Sequence, residues 1–436
     1  MDGQPKIKTD GLDQGEQREQ ILAGFRAVRD RSMQLAAPLS AEDQCIQSMD
    51  DVSPTKWHLA HTSWAFEAFV LRPFDPGYEE FHADYNYLFN SYYESIGPRH
   101  QRPKRGLLSR PPLDHVHAYR RHVEDAVIAL IEGAEEKKWV EIAPFVALGL
   151  NHEQQHQELM LTDIKHVFSC NPLKPAYQAF KDHGSGSGEN GKLEWVEFPE
   201  GLVETGHEGA GFAFDNESPR HKVWLNGFRI AARPVSNGDY LEFIEDGGYR
   251  RPEFWLSNGW AAVQDHAWIA PLYWRGDNDG DWRLMTLAGE RALDPAEPVC
   301  HVSHFKADAY AKWAGKRLPL EAEWEQLAAD LPVQGNFADS GHFHPVPGQE
   351  ATDSSTAAQV FGDVWEWTGS AYAAYPGYRA ADGAIGEYNG KFMSGQMVLR
   401  GGSAATPEGH VRASYRNFFY PPDRWQFSGL RLAEDI

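Results

Sequence analysis

The segment NHEQQHQE sets His152 and His156 four residues apart. On a helix that spacing puts both imidazoles on one face, about 5–6 Å apart, where both can ligate a single metal ion. Glu153 and Gln154 then point elsewhere. A third ligand has to come from another helix, and WHLAHT offers His58 and His61. His61 shares a stripe with Trp57, Ala60, Trp64 and Ala65, whereas His58 falls one position off it, so His61 is the expected ligand. Three neutral imidazoles without a thiolate suit divalent iron, copper or zinc with coordination positions left open.

Helices must carry these residues. Apolar residues recur near a 3.6-residue period from Glu16 to Leu35, through Ile21, Leu22, Phe25, Val28, Met33 and Leu35. Similar spacing runs from Ser53 to Leu71, Asp114 to Glu132 and Ala143 to Phe168, which predicts a four-helix bundle. Between the second and third helices, PFDPGYEEFHADYNYLFNSYYESIGPRHQRPKRG is too rich in Pro and Gly for one helix and too aromatic for a solvated linker. It is expected to pack over the site. KDHGSGSGENGK, residues 181–192, marks a domain boundary. Beyond it come short β-type runs such as LEWVEF and KVWLNGFRIA, with helices expected only around Asn237–Glu245 and Ser303–Ala314. The expected class is α+β: a helical domain over 1–180, a Gly/Ser-rich linker over 181–192, and a mixed domain over 193–436.

The formal net charge of −22 argues against a nucleic-acid surface and favours a small substrate, a cationic one included. Cys45, Cys170 and Cys300 have spacings that fit neither a zinc knuckle nor a disulfide framework, which points to a reducing compartment. No apolar run approaches the roughly 18–20 residues of a membrane span, and the N-terminus has no apolar signal-peptide centre. The expectation is a soluble, cytoplasmic protein without membrane or nucleic-acid partners; its oligomeric state is not legible.

SPTKWHLAHTSW and LNHEQQHQELML together resemble the DinB-like, metal-binding bundle of the ergothioneine-biosynthesis sulfoxide synthases. RPVSNGDYLEFI, PVCHVSHFKADAYAKWAGKRLPLEAEWEQLA, GDVWEWTGS, LRGGSA and YRNFFYPPDRWQFSGLRLA resemble the formylglycine-generating-enzyme-like, C-type-lectin-related domain of the same enzymes. The resemblance implies that His61, His152 and His156 hold Fe(II). It further implies a reaction in which dioxygen is consumed and C2 of hercynine, Nα-trimethylhistidine, is joined to a thiol, leaving a sulfoxide. Gln155 matches a residue that contacts substrate near the iron, and Asn417 one that holds the betaine carboxylate. A proton donor is needed near the metal, and Tyr92 and Tyr93 in NSYYES match a tyrosine pair of the branch that accepts free cysteine. Tyr388, in GEYNGKF, is a candidate for lining the pocket, with plain packing as the competing account.

The sequence also departs from the family pattern. Where the branch using γ-glutamylcysteine has an Asp and an Arg after its RN dipeptide, this chain has Phe419 and Asp423, so the charged clamp is absent or reversed. Phe418 replaces an expected tryptophan in the wall for the trimethylammonium group, which Trp425 or Phe419 would have to supply by cation–π contact. Cysteine is therefore the expected donor, and a selenosugar, as in the selenoneine synthases, is the alternative. Other classes are a divalent-metal hydrolase or thiol transferase, since helical bundles with three histidines also host such enzymes, and a lectin-like binding module; were HEQQH a zincin HExxH, Glu153 would be the base of a hydrolase. Formylglycine generation is disfavoured because the second half holds Cys300 alone.

Overall fold

The computed structural model describes residues 13–181, 193–209, 211–276, 280–348 and 357–436. Except for Lys181, the expected linker lies outside them.

Four long helices form the N-terminal half: α1 (Gln14–Ala36), α2 (Thr55–Phe66), α3 (Leu113–Gly133) and α4 (Glu136–Cys170). α1 starts on a capping box, in which the Asp13 side chain accepts from the Glu16 amide and Glu16 returns to the Asp13 amide. Its core stripe is Ile21, Phe25, Val28 and Leu35, with Leu22 and Met33 only partly buried. α3 presents Val116, Tyr119, Val123, Val127 and Ile131 to the same core.

Two expectations need correction here. α2 is buried on every side rather than along one stripe, because it is the inner helix of the bundle. His58, off the expected stripe, is as enclosed as His61. α4 starts seven residues earlier than its periodicity suggested and contains Pro144. Pro144 has no amide to reach back to residue 140, and Val140 is exposed. At 35 residues α4 is about 52 Å long.

After α2 the chain passes through a π-helical turn, Glu67–Leu71, and the aromatic segment folds into short helices, among them Tyr85–Phe89, laid against α2. Trp57 Nε1 donates to the Leu88 carbonyl and Trp64 Nε1 to Asn86, which fastens this cover to the helix bearing His61.

The second half is a loop-rich α+β domain. Its four-stranded sheet runs Asn417–Phe419, Met397–Arg400, Trp365–Ala371, Ser428–Leu430, antiparallel except for the last pair. A three-stranded sheet joins Trp195–Phe198, Phe228–Ala231 and Ala433–Asp435. KVWLNGFRIA is thus two strands, His221–Leu225 and Phe228–Ala231, in different sheets, separated by Asn226 and Gly227. Helices Asn237–Glu245 and His304–Trp313 occupy the expected places, but Ser257–Asp265 and Glu321–Ala328 are helical too. The second of these lies within EAEWEQLA, whose Trp324 is fully buried and donates to Glu366. Glu366 also takes the Arg431 guanidinium, both groups being shut off from solvent. In LRGGSA, Gly401 has φ +99° and a Cβ there would meet the Val360 carbonyl at 2.6 Å, so glycine is required.

α4 joins the two halves. Beside its histidines it carries Gln154, Gln155, Glu158 and Lys165, and each bonds the second domain. Gln154 faces His410, Gln155 takes the Tyr415 and Tyr388 hydroxyls, Glu158 accepts from Trp365, Ser403 and Thr406, and Lys165 meets His301. Among the described residues no helix is long and apolar enough to cross a membrane.

Candidate metal centre at the domain boundary

His61 on α2 and His152 and His156 on α4 converge, with ligand atoms all within 4.8 Å of one another. Nε2 of His61 lies 3.2 Å from Nε2 of His152, and the ring centroids of His61 and His152 lie 4.7 and 4.6 Å from that of His156. Trp57 and Trp64 stack on His61 at 4.6 and 5.4 Å. The His61 Nδ1 is 2.6 Å from the Phe89 carbonyl, which can only accept, so Nδ1 carries the proton and Nε2 keeps a lone pair toward its partners.

Burial lowers the affinity of all three rings for protons. His152 is pushed down to about 4, and His61 and His156 fall well below the usual imidazole value, the neighbouring imidazoles adding to the burial. Neutral imidazoles are the state a metal binds. Nitrogens on adjacent positions of an ion at about 2.1 Å sit about 3 Å apart, and the 3.2 Å separation matches that. His152 Nδ1 is buried without a hydrogen-bond partner. This donor set fits a divalent metal.

Glu153 sits elsewhere. Its carboxylate is fully buried and takes Arg29 at 3.1 Å, Arg120 at 2.9 Å and Ser32 at 2.6 Å. Burial alone would raise its pKa, but the two guanidiniums hold it at about 2. A carboxylate so committed cannot serve as a general base, which removes the basis for the HExxH hydrolase reading.

A small cleft lined by His152, Tyr93, Ala65, Phe69 and Gly149 shares Phe145, Leu148, Ile385 and Tyr388 with a chamber of about 700 Å³ between the halves. Phe212, Phe214, Asp215, Glu408 and Arg412 complete the far wall.

Tyr93 is buried and stacks on Tyr92 at 4.5 Å; its hydroxyl donates to that of Tyr92, which donates to the Tyr388 carbonyl. Burial raises both phenols above their ordinary value. The Gln155 amide donates to Tyr415 and accepts from the Tyr388 hydroxyl, and the Tyr388 ring lies 5.8 Å from that of His152. The structure thus gathers the three histidines, the tyrosine pair, Gln155 and Tyr388.

The RNFF residues stand further out. Asn417 opens the edge strand and its side-chain oxygen accepts from the Phe418 amide. Phe418 stacks on Tyr372 at 4.0 Å and reaches Tyr92 only through Phe392. Phe419 packs edge-on to the buried Trp425. Residues that sequence reasoning missed include Phe214, stacked on Tyr388, and His410 and Tyr415, bonded to each other and to α4. Phe214 and His410 sit in loops with no periodic or motif signal, and Tyr415 opens the YRNFF motif, whose match marks the domain and not this contact.

The DinB superfamily model matches residues 25–160, and the sulfatase-modifying factor enzyme 1-like domain model matches 187–352 and 333–436. Hercynine oxygenase of Mycobacterium tuberculosis is 34% identical over 442 residues, covering 96% of this chain and 99% of that protein. The chain belongs to the hercynine oxygenase family. The hercynine oxygenase of Mycolicibacterium smegmatis is 32% identical, again over 96% of this chain and 99% of its own length. Formylglycine-generating enzyme of Streptomyces coelicolor is 29% identical but covers only 52% of this chain. Membership in the hercynine oxygenase family therefore embraces both domains and the junction that holds the histidines. It places the chain among the oxidative enzymes of the ergothioneine pathway.

Proposed function

We propose that this protein is an Fe(II)- and dioxygen-dependent enzyme that joins C2 of hercynine to the sulfur of cysteine and yields hercynylcysteine sulfoxide. The overall change balances as hercynine C2–H plus thiol S–H plus O₂ giving the C2–S(O) product and water. The observation that carries the reading is the convergence of three buried, neutral imidazoles from two helices beside a chamber built by both domains. Three protein ligands leave open positions, and bound Fe(II) would supply the redox chemistry there.

The chain's own groups bind, orient and protonate. Phe145, Phe212, Phe214 and Tyr388 give the chamber aromatic walls, with the Asp215 and Glu408 carboxylates among them. A quaternary ammonium is attracted to both kinds of group. The chamber's cation, Arg412, is tied to Glu217. Tyr93 shares the small cleft with His152, so we assign it the proton donor's place, with its hydroxyl held protonated by burial and Tyr92 behind it. Gln155, fixed by Tyr388 and Tyr415, is suited to orient substrate beside His156. Asn417, Phe418, Phe419 and Trp425 line neither cavity, and their part in holding the betaine rests on the family resemblance alone.

Cysteine is favoured because no arginine stands at the Asp423 position. Asp423 accepts from the Tyr420 amide, and burial beside Asp51 raises its carboxyl to about 7. Arg424, next to it, lies over Trp268.

The test is incubation of the purified protein with hercynine, Fe(II), air and either cysteine, γ-glutamylcysteine or a selenosugar, read by mass spectrometry. Formation of the cysteine sulfoxide adduct, absent without oxygen or with zinc, is expected. Product from the selenosugar alone would make the protein a selenoneine-type synthase. Anaerobic turnover with zinc would mean a transferase.

A further inference from the structure

His58 is not one of the three converging ligands, yet it is buried against the metal centre. Its Nδ1 lies 2.8 Å from Nδ1 of His156, and its Nε2 lies 3.0 Å from Oδ2 of Asp163. Asp163 is seven residues beyond His156 on α4, two turns along the same face. The same Oδ2 accepts the Ser53 amide at 2.7 Å, just ahead of α2, and Thr162 donates to Oδ1 at 3.3 Å. The carboxylate thus pins the start of α2 to α4 and aims His58 at His156.

We propose that Asp163 and His58 are positioning residues that hold His156 as a metal ligand through a directed hydrogen-bond chain. This rests on the metal-centre reading above. A carboxylate accepts, so His58 carries its proton on Nε2 and offers Nδ1 as a lone pair. His156 must then donate from Nδ1, which leaves its Nε2 unprotonated for the ion. The opposite polarity would put a proton on His156 Nε2 and close the centre to a cation. The three ligands are supported differently: His61 by the Phe89 carbonyl and His156 by an anion relayed through a second imidazole, whereas His152 Nδ1 has no partner. The relay makes His156 the ligand whose basicity is set by a charge.

The test uses the full-length, metal-free protein, titrated anaerobically with Fe(II) by calorimetry, with the Co(II) absorption spectrum as a second readout. His58→Gln keeps an acceptor for His156; His58→Phe keeps a ring of similar size without one; Asp163→Asn keeps an acceptor oxygen without the charge. His58→Phe is expected to lose 10- to 100-fold in Fe(II) affinity and Asp163→Asn about 10-fold, with altered Co(II) bands, while His58→Gln stays within a few-fold of wild type. Melting temperatures of the metal-free proteins separate packing defects from ligand effects. Wild-type affinity in His58→Phe overturns the relay, as does equal loss in His58→Phe and His58→Gln. Should His58→Phe fail to fold, unchanged affinity in Asp163→Asn overturns it. A wild-type protein that binds no Fe(II) overturns the metal-centre reading and the relay with it, an outcome distinct from all of these.

Discussion

Arg29 and Glu153 meet in a 3.1 Å ion pair closed to solvent, one residue along the chain from His152 and on another side of its helix. The Glu153 carboxyl, held at about 2 against an ordinary 4.5, has its folded pKa depressed. Its contribution to stability is therefore fully present above pH 4.5 and is lost as pH falls toward 2. Glu153→Gln leaves Arg120 buried without its 2.9 Å partner and Arg29 with only the longer, 3.8 Å contact to Glu124. It should cost about 3–5 kcal/mol at pH 7, with a smaller difference from wild type below pH 4.5. Urea denaturation at pH 7 and pH 3.5 measures this, and a pH-independent difference would contradict it.

Replacing His61, His152 or His156 with alanine should abolish Fe(II) binding and turnover together. Because burial already keeps His152 neutral down to about pH 4, and the other two rings neutral as well, loading metal at pH 7 should displace no protons from them. Binding enthalpies at pH 7 in two non-chelating buffers of different ionisation enthalpy should then agree. Nearer pH 4, in a pair of buffers that hold that pH, the enthalpies should diverge, since metal must then displace protons.

Tyr93→Phe should lower kcat by about 10²-fold or more, the range of a lost general acid. Tyr92→Phe, one stacked ring further from the cleft, should cost less. Oxygen consumption coupled to product detection separates a lost proton donor from lost substrate binding. Equal, small effects of both substitutions would return the pair to packing.

Donor choice should favour cysteine over γ-glutamylcysteine in kcat/KM by at least an order of magnitude. The longer donor brings an extra carboxylate for which the Asp423 position offers no guanidinium partner. Competition between the two thiols in one vessel measures the ratio directly.

The metal ligands were legible because their signal is local: an i,i+4 pair on one helix and a third histidine among tryptophans on another. Fold class was legible for a similar reason, since periodicity announces a bundle and turn-rich β runs announce the rest. His58 and Asp163 were not, because their role depends on a 2.8 Å approach between helices that no spacing encodes. A stripe separates His61 from His58 only on a helix with an outward face, and α2 has none. Helices Ser257–Asp265 and Glu321–Ala328 were missed because, unlike the equally short Asn237–Glu245, which opens on the N-cap Ser236, they start after Leu256 and Leu320 with no side-chain cap. The chamber's far wall comes from loops joined only by tertiary folding, as the approach of Phe214 to Tyr388 shows.

α4 runs unbroken from the metal ligands to Lys165 and is bonded to the second domain at four points along that course. Such a strut leaves the halves little freedom to swing apart, and reactants enter through the open side of the chamber between them. Severing the chain at residue 180 would then yield two fragments that each lack part of the reaction vessel.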